Sequence, residues 1–274
     1  MSSPTPATVP IPTTIRVPWH ARWWLGLIVP SIIFIAWWVV TDTWKVFSEN
    51  QLPPPRQVWA AVVELTSEGE LWRHLFASLG RIGAGFAIGS VLALGLGVVV
   101  GLWRLAERLL DPTLQAIRSV PSLAWVPFLL LWLGIDETPK VTLIAIGAFF
   151  PVYLNLVSGI RQADRKLCEV GAVFGLKPAE QIRRILLPAA APYAIAGLRL
   201  GIGQAWLFLV AAELIASTRG LGFLLIDGQN NLRPDIMVVG ILLLALLGTG
   251  TDALLRLGER RLLRWSDTFQ GGRS

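Results

Sequence analysis

Apolar residues in this chain fall in long charge-free runs, not at the spacing of one half-buried helix face. A helix needs about 20 consecutive, mostly apolar residues to cross a bilayer. The runs 23–41, 82–103 and 141–160 meet that length, and 119–135 forms a shorter one. A further run, 236–251, extends to about 255 if Asp252 is tolerated. The stretch 193–215 is apolar but holds Arg199 near its start and Glu213 near its end. Charges near helix ends can snorkel to the interface, so this stretch also reads as a span. The pattern predicts an all-α, polytopic membrane protein with six transmembrane helices.

The segments between the runs differ in character. Residues 1–18 are rich in Pro, Thr and Ser and show no apolar period. A disordered N-terminal tail over 1–22 is predicted, then a transmembrane region over 23–265 and a short tail over 266–274. The first apolar run is long, and no small-x-small site follows it, so it does not read as a cleavable signal. The loop 42–77 contains Pro53, Pro54 and Pro55, then Val58, Trp59, Val62, Val63 and Leu65 at helical spacing. A short amphipathic helix fits, lying on the outer membrane surface or packed on the bundle.

Composition agrees with a membrane protein. Charged residues are 15% of the chain and mean hydropathy is +0.59, whereas soluble domains carry about 25% charged residues. One Cys excludes an intrachain disulfide, and His20 and His74 offer little for a metal site or a histidine base. An intramembrane enzyme lacks a plausible catalytic set. There is no GxxxxGK[ST] phosphate loop, so the chain should not hydrolyse ATP itself.

Net charge is +6, but its placement says more. With the N-terminus inside, the inner segments hold Arg16, Arg22, Arg104, Arg108 and a cluster at Arg161, Arg165, Lys166, Lys177, Arg183 and Arg184. The C-terminal region adds Arg256, Arg260, Arg261, Arg264 and Arg273, while the outer segments hold far fewer basic residues. Lys and Arg favour cytoplasmic loops, so both termini are predicted to be cytoplasmic.

Several spans carry features that need a neighbour. Gly85 and Gly89 are four apart, as are Gly97 and Gly101, a spacing that lets helix backbones approach closely. Pro121 and Pro127 break the third run. Broken backbone at membrane depth is tolerated only where protein or a water-filled cavity covers it. Ser119, Ser122 and Trp125 are therefore candidate pathway residues, with an ordinary proline kink as the alternative. Tyr153, Asn155, Gln204 and Trp206 are neutral polar groups within spans. They face a cavity or make interhelical hydrogen bonds. No carboxylate, Lys or His is placed deep in a predicted span, which speaks against a stand-alone proton- or sodium-coupled secondary transporter.

The polar stretch "CEVGAVFGLKPAEQIRRILLP", Cys168 to Pro188, stands out in the middle of the chain. Leu167–Phe174 can form a short helix, ended by Gly175. Pro178 suits the first position of a second helix, which Pro188 should stop or kink. The predicted product is a cornered helix pair on the cytoplasmic face, within a segment of about 161–192. It serves either as a handle for a soluble partner or as a solvated loop.

This stretch resembles the coupling loop of bacterial ABC importer permeases, with the pattern E-A-A-x3-G-x9-I-x-L-P. Glu169, Gly175, Ile185, Leu187 and Pro188 match it; Val170 and Gly171 stand where alanines are usual. The likeness extends over roughly 50–265. "LPPPRQVWAAVVEL", "GELWRHLFASLGRI" and "RLLDPTLQAIRSVPSLAWVPFLLLWLGIDETPK" are similar to the nitrate/sulfonate/taurine branch, as are "GAFFPVYLNLVSGIRQAD" and "LVAAELIASTRGLGFLL". The middle blocks look like aliphatic-sulfonate permeases; the last is also similar to taurine permeases.

The resemblance implies a type I ABC importer permease fold in a bacterial inner membrane. It implies a homodimer, two ABC ATPase subunits, a periplasmic solute-binding protein and a lipid environment, with no nucleic acid. ATP and Mg would sit on the partner ATPase, and no cofactor in this chain. The solute would be a small organic anion: an aliphatic sulfonate, with taurine, nitrate or bicarbonate as alternatives. Glu169, Gly171 and Gly175 would set the coupling geometry, and Arg183 and Arg184 would contact the ATPase or lipid headgroups.

Overall fold

The computed structural model describes residues 19–263. Most of the predicted 1–22 tail, and all of the predicted 266–274 tail, lie outside the described residues. Every regular element described is helical. The chain divides into two units, one ending at Arg56 and the other beginning at Gln57.

In the first unit α1 (Trp19–Trp38) continues into a π turn at Val39–Thr43. The Thr41 hydroxyl donates to the Trp37 carbonyl at 2.7 Å, and the Trp37 indole N–H donates to the Pro53 carbonyl at 3.1 Å. Arg56 closes on Asp42 at 3.2 Å. These bonds fold the proline run back on the end of the helix.

The second unit begins with α2 (Pro55–Ser67), most of which it contains, and α3 (Glu70–Leu102). Helices α4 (Arg104–Ser119), α5 (Val126–Leu133) and α6 (Glu137–Arg161) follow. Next come α7 (Arg165–Val173), α8 (Pro178–Gln181), α9 (Leu187–Ala216), α10 (Leu221–Asn230) and α11 (Pro234–Leu262). Val58, Ala61 and Leu65 of α2 are buried while Trp59 and Val63 of the same helix are exposed. The helix therefore packs on the protein through one apolar face and leaves the other exposed.

The core is α6 gripped between α3 and α9. Of the residues in its most apolar window, 61% are buried. The four predicted glycines of α3 all face this helix. A β-carbon on Gly85 would lie 2.6 Å from Ile144 Cβ, one on Gly97 3.0 Å from Leu156 Cδ2, and one on Gly101 2.8 Å from Ile160 Cδ1. Gly89 stands directly against the Ala145 carbonyl. From the other side, α9 presents Gly197 and Gly201 to Val152. Without a hydrophobic force between helices in lipid, this close van der Waals packing holds them together.

Two features differ from the sequence pattern. Helix α3 starts twelve residues before the charge-free run at 82, so His74 lies inside it and not in the 42–77 loop, and Arg81 lies inside it too. The run 119–135 is not one straight span: α4 and the segment Ser122–Leu133 meet at 88°. Pro121 precedes a 3₁₀ turn, and Pro127 occupies the first turn of the eight-residue α5. Among the described residues, five helices are long and apolar enough to cross a membrane, or six if the bent pair counts as one span. Helices α3 to α6 border an open apolar cavity of about 480 Å³, lined by Leu92, Leu114, Trp125, Trp132 and Phe149 among others.

Replacing Gly85 with Val should force α3 and α6 apart and cost about 1–3 kcal/mol, as overpacking does. Gly95→Ala, on a face with nothing within 4 Å, should be nearly neutral. Thermal unfolding of the two variants in detergent checks this difference.

Candidate functional site

The segment between α6 and α9 forms a defined corner. Asp164 caps α7 by accepting the Lys166 N–H at 2.9 Å. The helix ends with Gly175 at φ +76°. Leu176 N–H donates to the Gly171 carbonyl at 3.0 Å, and Gly175 N–H to the Ala172 carbonyl at 3.0 Å. This pair of bonds is the Schellman ending, which needs a left-handed residue where Gly175 stands. Lys177 N–H then donates to Glu180 Oε2 at 3.0 Å, with Pro178 in the first turn of α8.

Pro188 does not stop the helix. A π turn at Ile182–Leu186 joins α8 to α9, and Pro178–Ile215 runs as one helical segment of 38 residues. The proline lacks an N–H, and its ring needs room beside the carbonyl four residues back. The wider π turn gives that room without ending the helix. Gly171 is buried inside the corner, where a β-carbon would lie 2.7 Å from Ile185 Cδ1. The absent alanine methyl is thus compensated within this chain, by Ile185 packing on the glycine.

Much of the outer surface of the corner is apolar. Val173 is 85% and Phe174 80% exposed, beside half-exposed Leu167 and Val170. Glu169 and Arg183 are also exposed, and Arg184 sits 3.9 Å from Glu180. Leu187 is half-buried in the first turn of α9.

The candidate pathway residues separate into groups. Tyr153 is buried, and its hydroxyl donates to Asp111 Oδ1 at 3.2 Å, tying α6 to α4. Trp206 is buried, and its indole N–H donates to Thr251 Oγ1 at 2.9 Å, tying α9 to α11. Asn155 bonds the Pro151 carbonyl of its own helix at 2.8 Å, and Ser119 the Ala116 carbonyl at 2.7 Å. Trp125 lines the apolar cavity. Ser122 is half-buried in the 3₁₀ turn, and Gln204 is exposed on α9.

The other end of α9 holds a buried ionic cluster that hydropathy did not reveal. Glu213 does not snorkel; its side chain is 0% exposed. It accepts from Arg81 Nη1 at 2.8 Å, from the Ser78 hydroxyl at 2.7 Å and from the Gly222 N–H at 2.8 Å. Arg81 Nη1 also donates to the Arg219 carbonyl at 2.6 Å. Its Nε and Nη2 form a fork on Glu137, at 2.6 and 2.7 Å. Lys140 reaches the same carboxylate at 3.3 Å. Ser78 accepts the Leu221 N–H at 2.8 Å, and His74 Nδ1 accepts the Gly220 N–H at 3.0 Å. That bond puts the neutral imidazole proton on Nε2. Two cations meet two carboxylates, so the cluster is balanced. A sequence signal existed in the spacing of His74, Ser78 and Arg81 on one helix face.

In a separate group, Arg233 forks onto Glu64 at 2.9 and 2.8 Å and also holds Asp235 at 2.7 Å. The Arg233 hydrogen bond holds the Glu64 carboxyl below its ordinary value of 4.5, against a smaller opposing effect of burial. The two carboxylates raise the arginine further.

Comparison with known proteins agrees with this architecture. The model of the binding-protein-dependent transport system inner membrane component family matches residues 85–264. The chain belongs to this family and is therefore a multi-pass inner-membrane permease subunit of an ABC importer. It is 43% identical over 249 residues to the putative aliphatic sulfonates transport permease protein SsuC of Bacillus subtilis, covering 91% of this chain and 90% of that one. To the protein of the same description in Escherichia coli it is 40% identical, covering 90% and 95%. It also superposes on a chain of the inward-facing MetNI methionine ABC transporter with a TM-score of 0.55. That match has 20% identity and covers 68% of this chain and 95% of the other.

Two outcomes test the site. Arg81→Met leaves Glu213 buried without its cation, which should destabilise the protein by about 3–5 kcal/mol in thermal or denaturant unfolding. The depressed Glu64 carboxyl contributes stability above its ordinary value of 4.5. That contribution is lost as pH falls through the folded value. Glu64→Gln should therefore lower stability at neutral pH by at most about 1 kcal/mol, since the pair is partly exposed. Unfolding curves of variant and parent should converge under acid.

Proposed function

We propose that this chain carries a small organic anion of the aliphatic-sulfonate class across the cytoplasmic membrane of a bacterium. Two copies would form the pathway. Two separate ABC ATPase subunits, which hold ATP and Mg, would drive it, and a periplasmic solute-binding protein would deliver the solute. The likeness to two aliphatic-sulfonate permeases over nine-tenths of their length supports the solute class. The Lys and Arg bias supports a cytoplasmic position for both termini and for the α7–α8 corner.

The observation that carries the mechanism is the corner itself. Its outward face offers apolar side chains at Leu167, Val170, Val173 and Phe174, a fit for an ATPase cleft. Its inner face is fixed by Gly171 under Ile185 and by the Gly175 ending. Closure of the ATPase dimer on ATP would then move a rigid lever instead of bending a loop. A ligand shifts a two-state equilibrium only through a difference in its interaction with the two states. ATP binding supplies that difference at the ATPase, and the corner passes it to the spans. Glu169, Arg183 and Arg184 border the same face as polar contacts to the ATPase or to headgroups.

Gly175→Val places a β-branched residue at φ +76°, which costs about 1–2 kcal/mol, or roughly tenfold in an equilibrium. The variant should still purify with its ATPase and hydrolyse ATP, but take up about tenfold less alkanesulfonate. Unchanged uptake at normal expression would sink the coupling role. Competition of uptake by taurine or nitrate, and not by alkanesulfonates, would overturn the solute class.

A further inference from the structure

We propose that Glu213 is the positioning residue that carries motion of the α7–α8 corner across the membrane to α10. The proposal rests on the reading above that an ATPase seats on α7.

The connection is continuous. The corner packs onto Ile185, and Pro178–Ile215 is one helical segment of 38 residues. At 1.5 Å per residue that is about 55 Å, well beyond the hydrocarbon thickness of a bilayer. Glu213 stands at its far end and grips the start of α10. The Gly222 N–H donates to it directly, at 2.8 Å. The two preceding amides, Leu221 and Gly220, donate to Ser78 and His74 of α3. All three are amides at the entry to α10, where a helix leaves its N–H groups unpaired.

The fit leaves no slack. Gly220 lies against the Glu213 carboxylate, and a β-carbon on Gly222 would lie 2.7 Å from Glu213 Cβ. Beyond α10 the chain turns at Leu232, with φ +53°. Arg233 N–H then closes on the Gly228 carbonyl at 2.7 Å, and the Arg233 side chain holds Glu64 of α2. A displacement of α9 is therefore delivered to α10, and through it to α11 and α2.

Stability alone does not account for charges at this point. A buried ion pair is often no more stabilising than apolar side chains of the same volume. What it adds here is a fixed orientation. Arg81 commits Nε, Nη1 and Nη2 to Glu137, Glu213 and the Arg219 carbonyl, so neither α9 nor the 217–222 segment can rotate without breaking one of these bonds. Packed rigid elements joined this way are the physical means by which distant sites couple.

The test uses the transporter assembled with its ATPase in nanodiscs. Thr218→Cys, on the exposed part of the 217–222 segment, reports on that segment. A membrane-impermeant methanethiosulfonate labels the thiol, and peptide mapping separates it from Cys168. Between nucleotide-free and vanadate-trapped states, the labelling rate in the parent should change about fivefold or more. Adding Glu213→Gln should leave vanadate trapping intact, abolish the labelling change and, in intact cells, lower uptake; Glu213→Asp should restore part of both. A full labelling change in the Glu213→Gln variant would overturn the proposal. So would a parent that traps vanadate without any change at 218. A parent that traps no vanadate would overturn the ATPase reading, and this proposal with it. If Glu213→Gln does not fold, Ser78→Ala removes the hydroxyl that donates to Glu213 and accepts from the Leu221 N–H; it should reduce the labelling change, and an undiminished change overturns the proposal.

Discussion

A guanidinium inside a low-dielectric bundle must find partners for both its charge and its N–H groups. The arrangement around Arg81 follows from that demand. Meeting it brings α3, α6 and α9 to fixed rotations, because each supplies a side chain to one cluster. The glycines of α3 then face α6, and those of α9 face it from the other side. Close packing supplies the attraction, and the ionic cluster sets the register in which it acts. Neither would suffice alone: smooth glycine faces can slide, and a lone charge cluster cannot hold helices together over 25 to 33 residues.

The membrane architecture was legible in the sequence because hydropathy reads composition, and composition decides what enters a bilayer. Five of the six predicted spans fall on long helices. The corner was legible for a different reason: Gly175 and Pro178 are conformational signals that act locally. The bend after α4 was half legible, since Pro121 and Pro127 announced a break but not an 88° turn.

The ionic cluster was legible only as a shared face of His74, Ser78 and Arg81, without the carboxylates that pair with it. A charge just outside an apolar run looks the same whether it reaches water or a buried partner, and here the partners are 56 and 132 residues away. Pro188 misled for a related reason. Its usual effect was cancelled by a π turn that leaves no mark in residue type. Tyr153 and Trp206 showed as polar groups needing partners, but only tertiary structure could name Asp111 and Thr251.

The same separations bear on how the protein is made. Arg81 leaves the ribosome 56 residues before Glu137 and 132 residues before Glu213. At about 5–20 residues per second, Arg81 waits on the order of ten seconds for its last carboxylate. Glu137 arrives first, and with it Lys140, so the arginine can be paired before α9 exists. Half-exposed Glu137 is therefore the first carboxylate this arginine can meet, and the buried acid of α9 the last.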